Sequence, residues 1–397
     1  MPIASSDSNW PAPDEAQRAH SARLLAAFHA QLAAHDGWLP FDAWVQHALY
    51  APGLGYYSAG ARKFGAGGDF VTAPELSPLF AGCIARQFAA ARPGDVILEL
   101  GAGSGALASD LLARLQSLDA LPQRYLILEV SADLRERQQQ RIAQLPAALA
   151  ERVVWLDRLP ATPLRGLVLA NEVPDALPFR RVRLAGGHWH ELGVAIDAQG
   201  HLQWEARAAD GPLQTEMRRL LGEDPSTLLP DGYTTEVCLA LSPWLTAVAG
   251  TLQQGALLLF DYGLGRGELY HPSRSAGTLR CHYRHRAHDD PFLYPGLTDI
   301  THWVDFTRVA EAASDAGLEV AGYCTQAAFL LAAGLDQELS QALADAATPQ
   351  QAARRQGEAQ RLLLPGEMGE TFKAMLLTRG ETSGWNGFAL QDLRRLL

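Results

Sequence analysis

The stretch Leu98-Glu99-Leu100-Gly101-Ala102-Gly103-Ser104-Gly105-Ala106 constrains this chain's fold more than any other. An apolar strand runs into three alternate glycines and then into a helical pattern from Ala106 to Leu118. Glycines there let the backbone turn sharply and let a ligand approach the amides, while the helix start offers unpaired N–H donors. The surrounding pattern agrees: short apolar runs at Val96–Leu100, Tyr125–Val130, Val153–Leu156 and Leu167–Ala170 alternate with helical stretches at Ala106–Leu118 and Ala132–Leu145. Buried-type strands separated by helices predict βαβ units on a parallel sheet.

Outside that alternation, helices are predicted over Asp14–Ala34, Phe41–Tyr50 and Pro78–Ala91. Later elements are a strand at Ala256–Phe260, a helix at Val304–Ala316, and strands at Leu318–Tyr323 and Phe372–Thr378. Two segments interrupt the order. Arg180–Ala208 reads as an antiparallel meander because Gly186-Gly187 and Ala198-Gln199-Gly200 separate alternating stretches, with helices to follow at Leu213–Leu221 and Glu236–Leu252. Ala327–Leu364 is helical and rich in Ala, Gln and Leu. The expected division is a lead-in and cofactor lid over 1–92 and an α/β core over 93–397, with insertions at about 180–254 and 325–365. The insertions are expected to cap the C-terminal edge of the sheet, where α/β folds bind ligands.

Composition narrows function by exclusion. With 33 basic against 44 acidic side chains the formal charge is −11, which argues against a general nucleic-acid binder. The cysteines Cys83, Cys238, Cys281 and Cys324 stand singly, without the spacing of a zinc site, and no metal is expected. The longest uncharged apolar run, Ala327–Leu335, is far short of the roughly 20 residues of a membrane helix. The N-terminus has neither a basic start nor an apolar stretch, and from this a cytoplasmic protein is expected.

Gly101-x-Gly103-x-x-Ala106 satisfies the relaxed dinucleotide fingerprint, which keeps a nicotinamide-dependent oxidoreductase in view. Against it stand the third glycine, Gly105, and the acid Glu99 two residues before the first. Glu99-x-Gly101-x-Gly103-x-Gly105 resembles instead the first motif of S-adenosylmethionine-dependent methyltransferases, with Ala102 inside the loop. Glu129, closing the next strand ahead of Val130, is suited to a ribose diol, or simply to capping the helix that follows. Asn171, Glu172 and Asp175 end the fourth strand in a loop stiffened by Pro174 and Pro178. Phe70, Thr72 and Glu75 lie before the first strand, near Gly67-Gly68, and are expected to fold over the cofactor with Asp69 and Ser77; an N-cap at Ser77 is equally compatible. Asp261-Tyr262 follows a buried strand, as a substrate-side or a purely structural pair, and Arg280 and His285 are read in a long loop.

These motifs, with Leu49–Tyr57, Gly277–Arg280, Pro295–Phe306 and Pro365–Lys373, resemble the MidA-like family from about Phe41 to Phe388. Its eukaryotic members are mitochondrial arginine methyltransferases that assist assembly of respiratory complex I. Ala73, Pro174 and Trp303 depart from the family pattern without removing a reactive group. The resemblance implies a Rossmann-like class I methyltransferase sheet, S-adenosyl-L-methionine as cofactor and a protein-borne arginine as substrate. It leaves the target, the number of methyl groups and the oligomeric state open. A cofactor-binding assembly factor with little activity is the alternative in kind. Glu172 is the first candidate to grip the guanidinium, with Glu75, Asp175 and Asn171 beside it. Glu99, Gly101, Ala102, Gly103, Gly105, Glu129, Val130, Asn171, Phe70 and Thr72 are the expected cofactor contacts.

Overall fold

In a computed structural model, described for residues 10–58, 71–380 and 383–397, the central sheet contains seven main strands. They are β1 (Val96–Leu100), β2 (Arg124–Leu128), β3 (Val153–Leu156), β4 (Leu164–Asn171), β5 (Leu252–Leu264), β6 (Glu319–Thr325) and β7 (Phe372–Arg379). Their order is β3-β2-β1-β4-β5-β7-β6. The first five are mutually parallel, and β7 runs antiparallel between β5 and β6. The two-residue strand Val304–Asp305 extends the far end of β5.

Period-two alternation along these strands builds two apolar layers. Leu98, Val168, Leu257 and Met375 face a layer that includes Phe28, Trp44, Leu245 and Val309. Their neighbours Ile97, Leu167, Leu258 and Ala374 face Phe80, Leu111, Phe329 and Leu362. Helices on both faces account for the near-continuous apolar runs, which would be wasted on a sheet with one wet side. The α/β class and the Rossmann-like sheet read from the sequence stand.

The meander at Arg180–Ala208 forms as expected: strands Arg180–Ala185, His188–Ile196 and Leu202–Ala208 pair in antiparallel fashion. Two additions enlarge it. Trp38–Leu39 pairs with His188–Ile196, and Thr234–Val237 pairs with Arg180–Ala185. The latter corrects the expected helix from Glu236, which instead begins at Leu241 and ends at Ala249. Thr234, Thr235 and Val237 favour a pleated surface, and that local preference prevails. The helix expected from Val304 begins at Phe306, because Asp305 caps it by accepting from the Arg308 N–H at 3.0 Å.

A three-stranded sheet of Arg280–Tyr283, Arg286–His288 and Asp299–Thr301 replaces the long loop expected around Arg280 and His285. Arg284 and His285 form its two-residue turn, both at positive φ of 47° and 60°. This is the conformation a two-residue hairpin demands, but without the glycine or asparagine that would announce it. Among the described residues no helix is long and apolar enough to cross a membrane.

Candidate active site

A cavity of about 1140 Å³ opens at the C-terminal ends of β1, β2, β4 and β5. One half of its wall comes from a single continuous piece of chain. After β1 the backbone turns through Gly101, Gly103 and Gly105 at φ of 63°, 53° and 80°, so all three positions favour glycine. Gly101, Ala102 and Gly103 line the cavity. Gly105 does not: it starts the helix Ala106–Ser117, and a Cβ there would press on Gln138 at 3.3 Å.

Gln138 itself was not foreseen. Fully buried, it donates through Nε2 to the Gly103 carbonyl and to Glu129 Oε2, each at 2.9 Å, and accepts from Trp155 Nε1 at 3.0 Å. It thereby locks the glycine turn to the acid at the end of β2. Only its place on the helix Ala132–Ile142 hints at this, since a glutamine on an otherwise polar helix carries no distinctive signal. Glu129 is buried, lines the cavity, and accepts from the Ser131 N–H at 2.9 Å through Oε1. The simple local cap is thus present, on an acid that also lines the cavity. Val130, 76% exposed, lies beside it as a bare apolar contact on the cavity wall. Glu99 accepts from the Tyr125 hydroxyl at 2.8 Å and is pushed up to about 7 by burial.

From the opposite direction in sequence, Thr72 and Glu75 reach the same cavity. Glu75 accepts from the Ser104 hydroxyl, and burial raises its carboxyl above the usual range. Ser77 does not line the cavity: it caps Leu79 N–H at 3.3 Å and donates to Glu358 at 2.9 Å, fixing the helical insertion Pro349–Leu363. Phe70 and Asp69 lie outside the described residues.

The second half of the wall is assembled from distant segments. Asn171 ends β4 and donates to Glu172 Oε1 at 3.0 Å, while its own Oδ1 is buried with no partner among the described residues. Glu172 sits at φ 53°, a left-handed conformation uncommon outside glycine, held by its N–H donating to the Phe260 carbonyl of β5 at 2.8 Å. Burial, reinforced by the Asp175 charge, pushes its carboxyl up to about 8. Asp175 is buried, accepts from the Tyr262 hydroxyl at 2.5 Å, and is raised to about 6 by burial. Behind it Asp261, fully buried, accepts from the Asp175 N–H at 3.1 Å and the Tyr262 N–H at 2.8 Å. Burial and the Asp175 charge lift Asp261 well above the carboxylate range. Asp261 is thus a brace for the loop, whereas Tyr262 reaches the cavity.

Tyr50 and Tyr57, stacked at 5.5 Å, add a second aromatic wall, and Trp244, Trp303, Met368 and Phe372 close the rest. Asp299 and Arg280 project from the three-stranded sheet, while His285 does not line the cavity. Counting charges on the wall, Glu75, Glu99, Glu129, Glu172, Asp175, Asp299 and Glu367 face Arg280 and Arg361. The wall thus carries seven acidic side chains and two arginines.

These features fit an adenosyl cofactor: a glycine-rich turn, an acid on the cavity wall at the end of β2, an exposed apolar residue beside it, and the orphaned Asn171 oxygen. Comparison with known proteins agrees. A family model described as "Putative S-adenosyl-L-methionine-dependent methyltransferase" matches residues 79–324. The "Protein arginine methyltransferase NDUFAF7 homolog, mitochondrial" of Drosophila melanogaster is 30% identical over 381 residues, 87% of this chain and 82% of that one. The Danio rerio protein arginine methyltransferase NDUFAF7 is 28% identical over 83% of this chain and 81% of that one. A crystal structure from Burkholderia thailandensis with S-adenosyl-homocysteine bound is 41% identical and superposes with a TM-score of 0.90 over 98% of this chain and all of that one. The curated relatives are mitochondrial proteins, which overturns the cytoplasmic placement drawn from the N-terminal residues. The glycine spelling shared with dinucleotide enzymes is resolved as well, and the chain belongs to the family of S-adenosyl-L-methionine-dependent methyltransferases.

Proposed function

We propose that this enzyme methylates a guanidinium nitrogen of an arginine carried by a protein. The observation that carries the reading is the carboxylate-rich, tyrosine-walled half of the cavity around Glu172, Asp175 and Asp299, and the names of the curated relatives support it. Gly101, Ala102, Gly103, Glu129 and Val130 hold the cofactor from the sheet side, with Glu99, Asn171 and Thr72 completing its surroundings. Bound there, S-adenosyl-L-methionine supplies a methyl group already activated by its sulfonium.

The chain's own residues then have three tasks. They must hold a permanently charged, planar fork of donors, exclude water, and take away the proton that one nitrogen loses as it gains a carbon. Glu172 grips the fork and receives that proton; its raised affinity for protons suits a group that must accept one near neutral pH. Asp175, steadied by Tyr262, holds positive charge nearby and offers the next acceptor. Glu75, tied to Ser104 of the glycine turn, links the segment before β1 to the cofactor. Asn171 orients Glu172.

Incubation of the protein with radiolabelled S-adenosyl-L-methionine and cell lysate, followed by acid hydrolysis, tests the reading. Label recovered as methylarginine is the expected result. Tight cofactor binding with no labelled protein would instead favour a non-catalytic assembly factor, and label on lysine would refute the substrate class.

A further inference from the structure

We propose that Lys373 is a positioning residue for methyl transfer: by capping the carbonyls of Glu370 and Thr371 it fixes the loop ahead of β7, and with it the Phe372 ring that steadies Tyr262 beside Asp175. The inference rests on the role given to Asp175 above and deepens it. The chain carries 33 basic residues, of which only Lys63 and Lys373 are lysines. Lys373 is the second residue of β7, opposite Asp261 of β5 and Thr325 of β6, and is only 6% exposed. Its side chain folds back along the chain, where Nζ donates to the Glu370 carbonyl and, at 3.3 Å, to the Thr371 carbonyl. The loop so held, residues 364–371, joins the helix Pro349–Leu363 to β7. Leu364–Glu367 and Glu370 are exposed, while Gly366, Glu367, Met368 and Thr371 line the cavity, so the loop is a thin part of its wall. Its middle is pinned by the Ala327 N–H, which donates to the Gly369 carbonyl at 3.0 Å, and its far end by Lys373.

Directly after the loop, the Phe372 ring meets Tyr262 edge to face with centroids 5.4 Å apart, and the Tyr262 hydroxyl donates to Asp175. A segment with exposed backbone opens easily on its own, so the clasp at Lys373 decides whether Phe372 stays seated. The amine is costly in this place. Burial pushes it down to about 8, and among the described residues Glu268, Glu370 and Arg274 act on it as charges without forming a salt bridge. A methionine would fill the space without that cost but would leave both carbonyls without their donor. Arginine, the chain's usual cation, is no substitute: its planar fork is rigid, whereas a compact head with three rotatable donors can turn back onto two neighbouring carbonyls. The neutral amine keeps two N–H donors, so the clasp does not depend on its charge.

The test uses the full-length protein, saturating radiolabelled S-adenosyl-L-methionine and cell lysate, with label counted in total protein so that the result does not depend on which amino acid receives it. Lys373→Met should lower the initial rate about 3- to 10-fold, the share of one hydrogen bond at Asp175, with S-adenosyl-homocysteine affinity by calorimetry within about twofold. Lys373→Arg should not restore the rate. Hydrogen exchange of amides 364–372 should quicken about tenfold or more while β1–β4 keep their protection, the mark of a local opening rather than a general loss of stability. In a Tyr262→Phe background Lys373→Met should add less than about twofold, because both variants act on the same support. If Lys373→Met does not fold, Phe372→Leu, which removes the ring edge and keeps apolar bulk, takes its place with the same expected losses. A wild-type rate in whichever of these variants folds, a wild-type rate in Lys373→Arg, unchanged exchange over 364–372, or losses that multiply with Tyr262→Phe overturns the proposal while leaving the arginine reading intact. A wild type that labels no protein refutes the catalytic reading itself, and the proposal with it.

Discussion

The two halves of the cavity are built differently. The cofactor half comes mainly from one stretch, β1 through the helix Ala132–Ile142, with Thr72 and Asn171 added at its margin; within that stretch Glu129 has the donors Ser131 and Gln138 and Glu99 has Tyr125. The substrate half draws on residues 50–57, 171–175, 261–262, 299–302 and 368–372, and its acids crowd one another: Asp175 acts on Glu172, and both act on Asp261. The acids of the cofactor half take their donors from the same stretch of chain, whereas those of the substrate half take theirs from distant segments, Tyr262 for Asp175 and Tyr57 for Asp299, around a Glu172 held at a left-handed φ of 53°.

The sharpest way to break this contrast is Glu172→Gln. Turnover should fall about 10²- to 10³-fold, the usual worth of a positioned acid or base, while S-adenosyl-homocysteine affinity measured by calorimetry stays within about threefold. A matching loss of cofactor affinity would merge the two halves into one. The pH profile comes next. Glu172 must be ionised to take a proton and is neutral below about 8, so kcat/KM should rise with pH and level off above that value. From pH 8 down to pH 6 the ionised fraction, and with it kcat/KM, should drop roughly 50-fold if this group alone governs the limb.

The mirror-image variant, Glu129→Ala, should weaken S-adenosyl-homocysteine by about 10- to 100-fold, the worth of hydrogen bonds to a charged group, with little change in turnover at saturating cofactor. Tyr262→Phe should lower kcat by only about 3- to 10-fold, since it removes one support of Asp175 and nothing on the cofactor side.

The smallest effect is thermal. Glu172 binds its proton more tightly folded than unfolded, so its stabilising contribution is complete below the ordinary value of 4.5 and is lost as pH rises through about 8. Glu172→Gln escapes that loss. At pH 8.5 its melting temperature should exceed the wild type's by about 1–3 °C, with the gap closing toward pH 5.

The same division governs what could be read from the sequence. The glycine turn, Glu99, Glu129 and the β1-to-β3 alternation were legible because each depends on residues within a few turns of chain. Asn171, Glu172 and Asp175 were legible as a polar, proline-stiffened end to an apolar strand. Gln138, Tyr57 and Asp299 were not, because their significance is a meeting across the fold: Tyr57 and Asp299 are 242 positions apart. The hairpin at Arg284-His285 was hidden by residues that rarely adopt its turn, and the close approach of Gly105 to Gln138 carried no local signal.

The central claim is that the cofactor's sulfur faces the carboxylates of the distant-segment half. A crystal structure with S-adenosyl-homocysteine and an arginine peptide measures this directly. The prediction is a guanidinium nitrogen on the line from the sulfur, near enough that a transferable carbon would lie about 3–3.5 Å from it, with Glu172 hydrogen-bonded to the guanidinium. A sulfur directed away from Asn171 and Glu172, or a guanidinium held without Glu172, would contradict it.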